Sequence, residues 1–431
     1  MAQSLPPSQS LSLSEAIKIA RIQNPMIAAV RAEVEASESN VITARSGLLP
    51  QLNVSENFQH TTNPMWAFGT KLNQGSITQQ DFDPEQLNEP DAINNFATVL
   101  SMAWSVYDGG QSWTAFKQSQ QGLEASRLSV KKTEQEIIAK TATAYVGVLL
   151  ADKNLAVVNQ ALETAKAHLS LVQSRFKSGF VVKSDLLRAQ VRIAELEQQR
   201  LQAESQILIA KANLNAAMGI SEDQVPNLLT PLQTGPTLAD SQQQWLDRAL
   251  SNRPDLSQIK IQRDIAEKEI TRSKSGHLPQ FQVNGAYEVN SEDFSDTADN
   301  YSLGATLTMN LYSGNRVSSQ TRAAKALLRR IKAMQEALSL GIRVEIREAY
   351  LSAQSAWQRI EVAKTAVAQA EEGLRIVANR YENGLLTMVS VLDAEVADQQ
   401  ARTLHFQALH DYQVARINLA KAAGMIDENF E

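Results

Sequence analysis

The chain has 431 residues, a net charge of −6 and no cysteine. An acidic balance gives no electrostatic support for nucleic-acid binding, and the missing thiols remove disulfides, thiol nucleophiles and thiolate metal sites. No apolar run approaches the roughly 20 residues of a membrane helix, and the opening MAQSLPPSQS lacks the apolar core of an export signal.

From the N-terminus, LSLSEAIKIARIQNP (11–25) opens as a helix that meets a proline, and Leu49-Pro50-Gln51 leads into QLNVSENF (51–58), which alternates with the period of a strand. About residues 59–95 follow as a long loop rich in Asn, Gln, Pro and Asp. FATVLSMAWSVY (96–107) alternates again and ends in YDGG. From Gly110 to about Arg175 there is no proline, and Leu123, Leu128, Val130, Ile137, Ile138, Tyr145, Val148 and Leu149 recur at helical spacing. That predicts a helix roughly 100 Å long. RFKSGFVVKSDLLRAQV (175–191) interrupts it at a glycine and resumes a helix that runs to LNAAMGI. A linker is expected over residues 225–243.

The chain then repeats itself. Arg175 and Arg380, Gly179 and Gly384, Tyr107 and Tyr312, and Gly219 and Gly424 are each 205 residues apart, whereas Pro25 and Pro254, and the two Leu-Pro-Gln triplets, are 229 apart. The 24-residue excess falls in the loop of the first copy. Residues 1–224 and 244–431 are therefore two copies of one unit: a helix, a strand hairpin (about 51–107 and 280–312) and long Ala-rich helices with tips near 179 and 384. Such helices argue for coiled-coil packing.

In the second copy FQVNGAYEV (281–289) and YSLGATLTMNLY (301–312) alternate. In the latter, Tyr301, Leu303, Ala305, Leu307, Met309 and Leu311 share one face, and Ser302, Gly304, Thr306, Thr308 and Asn310 the other. A polar face that is small and uncharged, with aromatics at the ends, is the pattern of an outer-membrane strand. Four strands cannot close a barrel, and an open edge inside a bilayer leaves backbone groups unsatisfied. More than one chain must contribute.

With these motifs in view, the chain resembles the TolC-like outer-membrane efflux factors over nearly its whole length. The resemblance rests on LSLSEAIKIARIQNP, the two Leu-Pro-Gln leads into strands, YDGG and YSGN, the two glycine tips, and the helix ends LNAAMGI and LAKAAGM. It implies an α+β membrane protein in which a homotrimer builds one 12-stranded outer-membrane β-barrel, continued by an antiparallel coiled-coil α-helical tunnel across the periplasm. It also implies a passive conduit for small molecules or polypeptides in a tripartite efflux or type I secretion system. The partners would be a periplasmic adaptor (membrane fusion) protein, an inner-membrane transporter of RND, ABC or MFS type, and outer-membrane lipid, with no nucleic acid and no cofactor. The tips Gly179-Phe180-Val181 and Gly384-Leu385-Leu386 would dock the adaptor. Tyr381, Ser184, Asp185 and Asp393 match the family's closed-state lock and acidic constriction. Leu386 stands where a locking arginine is found and Ser390 where a second ring aspartate is found, so the lock loses its charge-assisted member.

Two other classes compete. The five histidines, His60, His168, His277, His405 and His410, form no i, i+4 metal pair, and no nucleophile elbow or phosphate loop is present, which argues against an enzyme and a metal site. A periplasmic coiled-coil adaptor or scaffold would also use long helical hairpins, but would attach them to compact β-domains.

Overall fold

A computed structural model describes residues 10–221, 227–235 and 237–427. Most of MAQSLPPSQS, and residues 225, 226 and 236 of the expected linker, lie outside them. The order is β1 (Ser10–Leu11), α1 (Leu13–Gln23), α2 (Pro25–Ser46), β2 (Gln51–Thr61), α3 (Pro64–Asn73), α4 (Pro84–Asn88), β3 (Ile93–Tyr107), α5 (Gln111–Lys177), α6 (Lys183–Met218), β4 (Asn227–Leu228), α7 (Gln242–Asn252), α8 (Pro254–Lys274), β5 (Gln280–Ser291), β6 (Ala298–Thr308), α9 (Arg316–Glu382) and α10 (Met388–Ala422). Short 3-10 turns occupy Gln79–Phe82 and Ser275–His277. The chain divides into two compact units, each drawn from both sequence repeats: one runs to Glu33 and includes Ser126–Ile259 and Met334–Glu431, the other is Val34–Ala125 with Lys260–Ala333.

In the first unit the duplication is visible in local chemistry. Both copies open with a capping box: Ser12 N–H donates to Glu15 Oε2 (2.8 Å) ahead of α1, and Ser241 N–H to Gln244 Oε1 (2.8 Å) ahead of α7. Each short helix stops at the residue before a proline. Asn24 (φ −66°, ψ 123°) and Arg253 (φ −65°, ψ 123°) are extended, as the proline ring demands. Against each of these residues packs the end of that copy's last helix. Gly219 (φ +76°) comes so near that a Cβ would sit 2.7 Å from Asn24 Cα, and Gly424 (φ +66°) repeats the approach at Arg253 with 3.1 Å. The Asn24 side chain donates to Ala217 O (2.8 Å), whereas Arg253 donates to Ala422 O (3.0 Å) and pairs with Asp255 (2.7 Å) and Glu345 (2.5 Å). The core beside these joints gathers Leu11, Ile17, Tyr145, Leu214, Met218, Ile360 and Tyr412. Within the expected linker lies β4, parallel to β1, and Tyr145 pins the pair: its hydroxyl donates to Leu11 O (2.8 Å) and accepts from Thr230 N–H (3.1 Å).

The second unit holds an antiparallel sheet in the order β2-β3-β5-β6. Its registers put Gln51, Asn53, Ser55 and Asn57 of β2, Ser101 and Ser105 of β3, Gln282 and Asn284 of β5, and Ser302 and Thr306 of β6 on one face. Leu52, Val54, Phe58, Leu100, Trp104, Val283, Tyr287, Tyr301, Leu303 and Leu307 take the other. A bulge at Val106 ends the strict alternation of β3. The fourth strand stops at Thr308 instead of reaching Tyr312, because its partner β5 begins at Gln280, opposite Thr308, and offers no residue beyond. The segment expected as a loop over 59–95 is a folded insert: Asn63 caps α3 ahead of Pro64, and Asp83 caps α4 ahead of Pro84. Here Asn-Pro and Asp-Pro are helix starts.

The joint at Gly219 admits no side chain. Gly219→Ala must place a Cβ against backbone and hold an L-residue in the left-handed region, which alone costs about 1–2 kcal/mol. Thermal unfolding followed by circular dichroism in detergent should show a lowered midpoint, while Gly122→Ala, inside α5 with open space at its Cβ position, should hold or raise it, since alanine favours a helix interior.

Candidate functional site

Both helix tips lie in the first unit and share one backbone solution. Gly179 N–H donates to Phe176 O (3.0 Å) and Phe180 N–H to Arg175 O (2.9 Å); Gly384 N–H donates to Tyr381 O (3.0 Å) and Leu385 N–H to Arg380 O (2.9 Å). These paired bonds close a helix C-terminus through a residue at positive φ, +76° at Gly179 and +73° at Gly384. The next helix starts within a few residues, its first turn bonded by Asp185 N–H to Val182 O (3.1 Å) and Ser390 N–H to Thr387 O (3.1 Å).

Beneath the turns is a small apolar core of Val172, Ala189, Tyr381, Met388 and Val391, with Val181, Leu186 and Leu392 packed on it. Val181 therefore supports the tip from inside. Phe180 and Leu385 stand outside it, 82% and 73% exposed, and Leu386 is half-buried. Ser184 and Asp393 are exposed, Asp185 and Ser390 half-buried.

Tyr381 is only 4% exposed, and among the described residues its hydroxyl has no partner within full hydrogen-bond geometry, although the Arg175 guanidinium is near enough to act on it. The structure does not join it to Asp185 by a hydrogen bond. Burial pushes the phenol pKa up; the positive charge of Arg175 opposes that shift and the negative charge of Asp185 adds to it. The contact that ties the two tips together belongs to Arg175, whose guanidinium donates to Tyr381 O (2.9 Å) and Glu382 O (2.6 Å) and lies 5.2 Å from the centre of the Tyr381 ring. A cation on the last carbonyls of α9 satisfies orphan acceptors and complements the helix dipole. Its counterpart Arg380 is exposed. The equal spacing of the two arginines marked both positions and could not say which one bridges.

A second cluster was not foreseen at all. Two residues from the exposed Asp393, Glu395 is buried, because a two-residue step nearly reverses direction on a helix. It is hydrogen-bonded to His168 of α5 and lies 3.9 Å from the buried Arg192 of α6. Arg192 donates to Gln399 (2.7 Å), which donates to Gln199 (2.7 Å). Three helices are thus joined by one buried polar chain. Asp393 makes no hydrogen bond or ion pair among the described residues and is free to face a solvent-filled space.

No helix among the described residues is long and apolar enough to cross a membrane. A sheet polar on one face and apolar on the other, carried with long glycine-tipped helical hairpins, defines the class of outer-membrane channel proteins. The family model of outer membrane efflux proteins matches residues 16–220 and 245–425, and the chain belongs to that family. It is 23% identical over 425 residues to the outer membrane protein TolC of Vibrio cholerae, covering 97% of this chain and 91% of that one. To the proteases secretion protein PrtF of Dickeya chrysanthemi it is 22% identical, covering 98% and 90%. Its fold matches the outer membrane protein VceC of Vibrio cholerae with a TM-score of 0.79 at 19% identity, covering 96% of both chains. It matches CusC with a TM-score of 0.82 at 16% identity, covering 98% and 95%. The protein is an outer-membrane efflux channel that extends into the periplasm and is not an enzyme.

The two tip residues separate cleanly by substitution. Arg175→Ala removes two charge-assisted hydrogen bonds and should loosen the tips, seen as faster proteolysis at residues 175–190 and more frequent opening in planar bilayers. Tyr381→Phe removes a hydroxyl that has no partner within full hydrogen-bond geometry and should leave both measurements unchanged or slightly tightened.

Proposed function

We propose that three copies of the chain close a 12-stranded barrel and export cargo delivered at the helix tips by an adaptor and an inner-membrane transporter. The observation that carries this reading is the pair of unpaired edges: β2 and β6, each 11 residues long, have no neighbour on their outer sides among the described residues. Inside hydrocarbon those backbone groups require partners, and β6 of one copy can supply them to β2 of the next. Eleven residues is also the length of a tilted strand that spans a bilayer. In this reading the insert between β2 and β3 is extracellular, since such barrels put their longer loops outside.

The tips are the adaptor surface. Phe180 and Leu385 sit beside glycines that let a partner backbone approach, and burying each side chain would contribute about 1.5–3 kcal/mol. Six tips per trimer would multiply weak contacts. Asp393 lines the constriction, one carboxylate per chain, with Ser390 one turn before it on the same face. Ser184 and Asp185 face it from α6, and Asp185 acts on Tyr381 through charge. Relatives named for protease secretion, such as PrtF, and for pyoverdine export, OpmQ, share this architecture, which fits a conduit whose cargo is chosen by the transporter.

Mass measurement in detergent and planar-bilayer recording test the assembly. Wild type should run as a trimer with cation selectivity and block by divalent cations; Asp393→Ala should keep the trimer and weaken both effects. A stable monomer that keeps its β-content would overturn the trimer, and unchanged selectivity would move Asp393 off the pore.

Export in cells tests the tips. Phe180→Asp and Leu385→Asp should abolish export by the cognate pump, because docking would then desolvate a charge, while trimers and conductance persist. Full export with assembled trimers would place the adaptor elsewhere.

A further inference from the structure

The insert does not project away from the sheet; it folds back over one face of it. Gln74, at the end of α3, donates to Asn94 O (2.7 Å) and Asn95 Oδ1 (3.0 Å), and Asn95 donates to Asn290 Oδ1 (2.8 Å). Gly75 lies against Ala298, with 3.6 Å between its Cβ position and the Ala298 Cβ. Asn95, Asn290 and Ala298 belong to β3, β5 and β6 and all lie on the polar face. Ile93, Asn95 and Ala97 of that face are buried, as are Ala67 and Thr70 of α3. On the opposite face at this end, Phe96 stacks with Phe58 (4.8 Å) and Phe294 (4.3 Å). The insert has therefore taken the one side of the sheet that cannot face lipid.

It is also a folded body. Lys71 pairs with Asp81 (2.6 Å), the same carboxylate accepts from Thr78 N–H (2.6 Å) and Thr78 Oγ1 (2.8 Å), and Phe68 meets Phe82 edge-on at 5.6 Å. The Lys71 hydrogen bond, with those of Thr78, lowers the Asp81 pKa to about 2. A depressed carboxylate supports the fold in full above its unfolded pKa and loses that support progressively as pH falls from there through about 2. The insert thus keeps this anchor in a mildly acidic medium.

We propose that residues 62–92 form a luminal cap, a constriction at the outer end of the barrel that limits the size of what passes there, distinct from the one at the helix tips. This rests on the barrel reading, in which the polar face lines the lumen. Three caps would converge on the mouth, presenting Met65, Trp66 and Phe82, which are exposed on the single chain. The narrowing is thus apolar, and cargo passes by displacing the caps. The insert is held to the sheet by the Gln74 amide, the Gly75 contact and a small buried apolar patch, and by no strand-to-strand hydrogen bond, so the cap can lift without breaking a strand.

The cysteine-free chain allows a direct test on intact cells. A Ser101→Cys variant places a thiol on the polar face of β3, and Leu303→Cys places one on the apolar face of β6. A small maleimide should label the Ser101→Cys variant, while a maleimide polymer of about 5 kDa should react at least about tenfold more slowly because the mouth is narrowed. Replacing residues 62–92 by a short Gly-Ser turn in that background should let both reagents react equally. If that variant fails to assemble, Lys71→Ala with Gln74→Ala, which leaves the strands intact, should still speed the polymer reaction. Equal polymer labelling with and without an intact cap, in assembled trimers, would overturn the cap. Labelling of the Leu303→Cys variant with an inert Ser101→Cys variant would instead overturn the assignment of faces, and with it the barrel reading.

Discussion

In hydrocarbon a strand must place every backbone donor and acceptor on another strand, because each unsatisfied group costs several kcal/mol. β3 and β5 meet that requirement inside the chain, and β2 and β6 meet it on one side only. A single copy therefore leaves two strand edges that hydrocarbon does not tolerate. In the barrel proposed above, assembly and insertion are coupled, and the small, uncharged side chains of Asn53, Ser55, Ser302 and Thr306 keep one face of the sheet polar.

The helical tips meet a different demand, two sharp reversals held beside each other. Main-chain turns at Gly179 and Gly384 are local and survive any rearrangement of one hairpin against the other. Beside the apolar core that both hairpins share, the polar contacts between them are directional: Arg175 on the carbonyls of α9, and the chain through His168, Glu395 and Arg192. Burying Glu395 is unfavourable by itself and is offset by those partners; removing one partner of such a cluster typically costs about 3–5 kcal/mol. Clusters of this kind contribute more to fixing which helices meet, and in what register, than to net stability.

The elements set by periodicity were legible in the sequence. The long helix expected from Gly110 starts within a residue of α5 and its repeat is α9, because a 67-residue helix carries its signal many times over. Three of the four strands lie where alternation put them, and the fourth lost its last residues to the absence of a partner, which no local pattern encodes. The insert was misread because proline beside Asn or Asp signals turns and helix starts alike. At the tips, glycine spacing located the turns; Phe180 and Leu385 are exposed, but Val181 packs on the core beneath and Leu386 is half-buried. Glu395 and Arg192 were invisible, since a lone charge on an amphipathic helix reads as solvated until its partners on α5 and α6 are known. The parallel pair β1 and β4, two residues each and more than 200 residues apart, lies below any sequence signal.

The two joints that close each repeat have diverged in kind. At Asn24 the closure is a neutral amide bond, whereas at Arg253 the same backbone approach is held by ion pairs to Asp255 and to the half-exposed Glu345. Mobile ions screen the partly exposed Arg253–Glu345 pair and leave the Asn24 amide bond untouched. Duplication thus left one backbone geometry closed by two chemistries, only one of which is open to screening by salt.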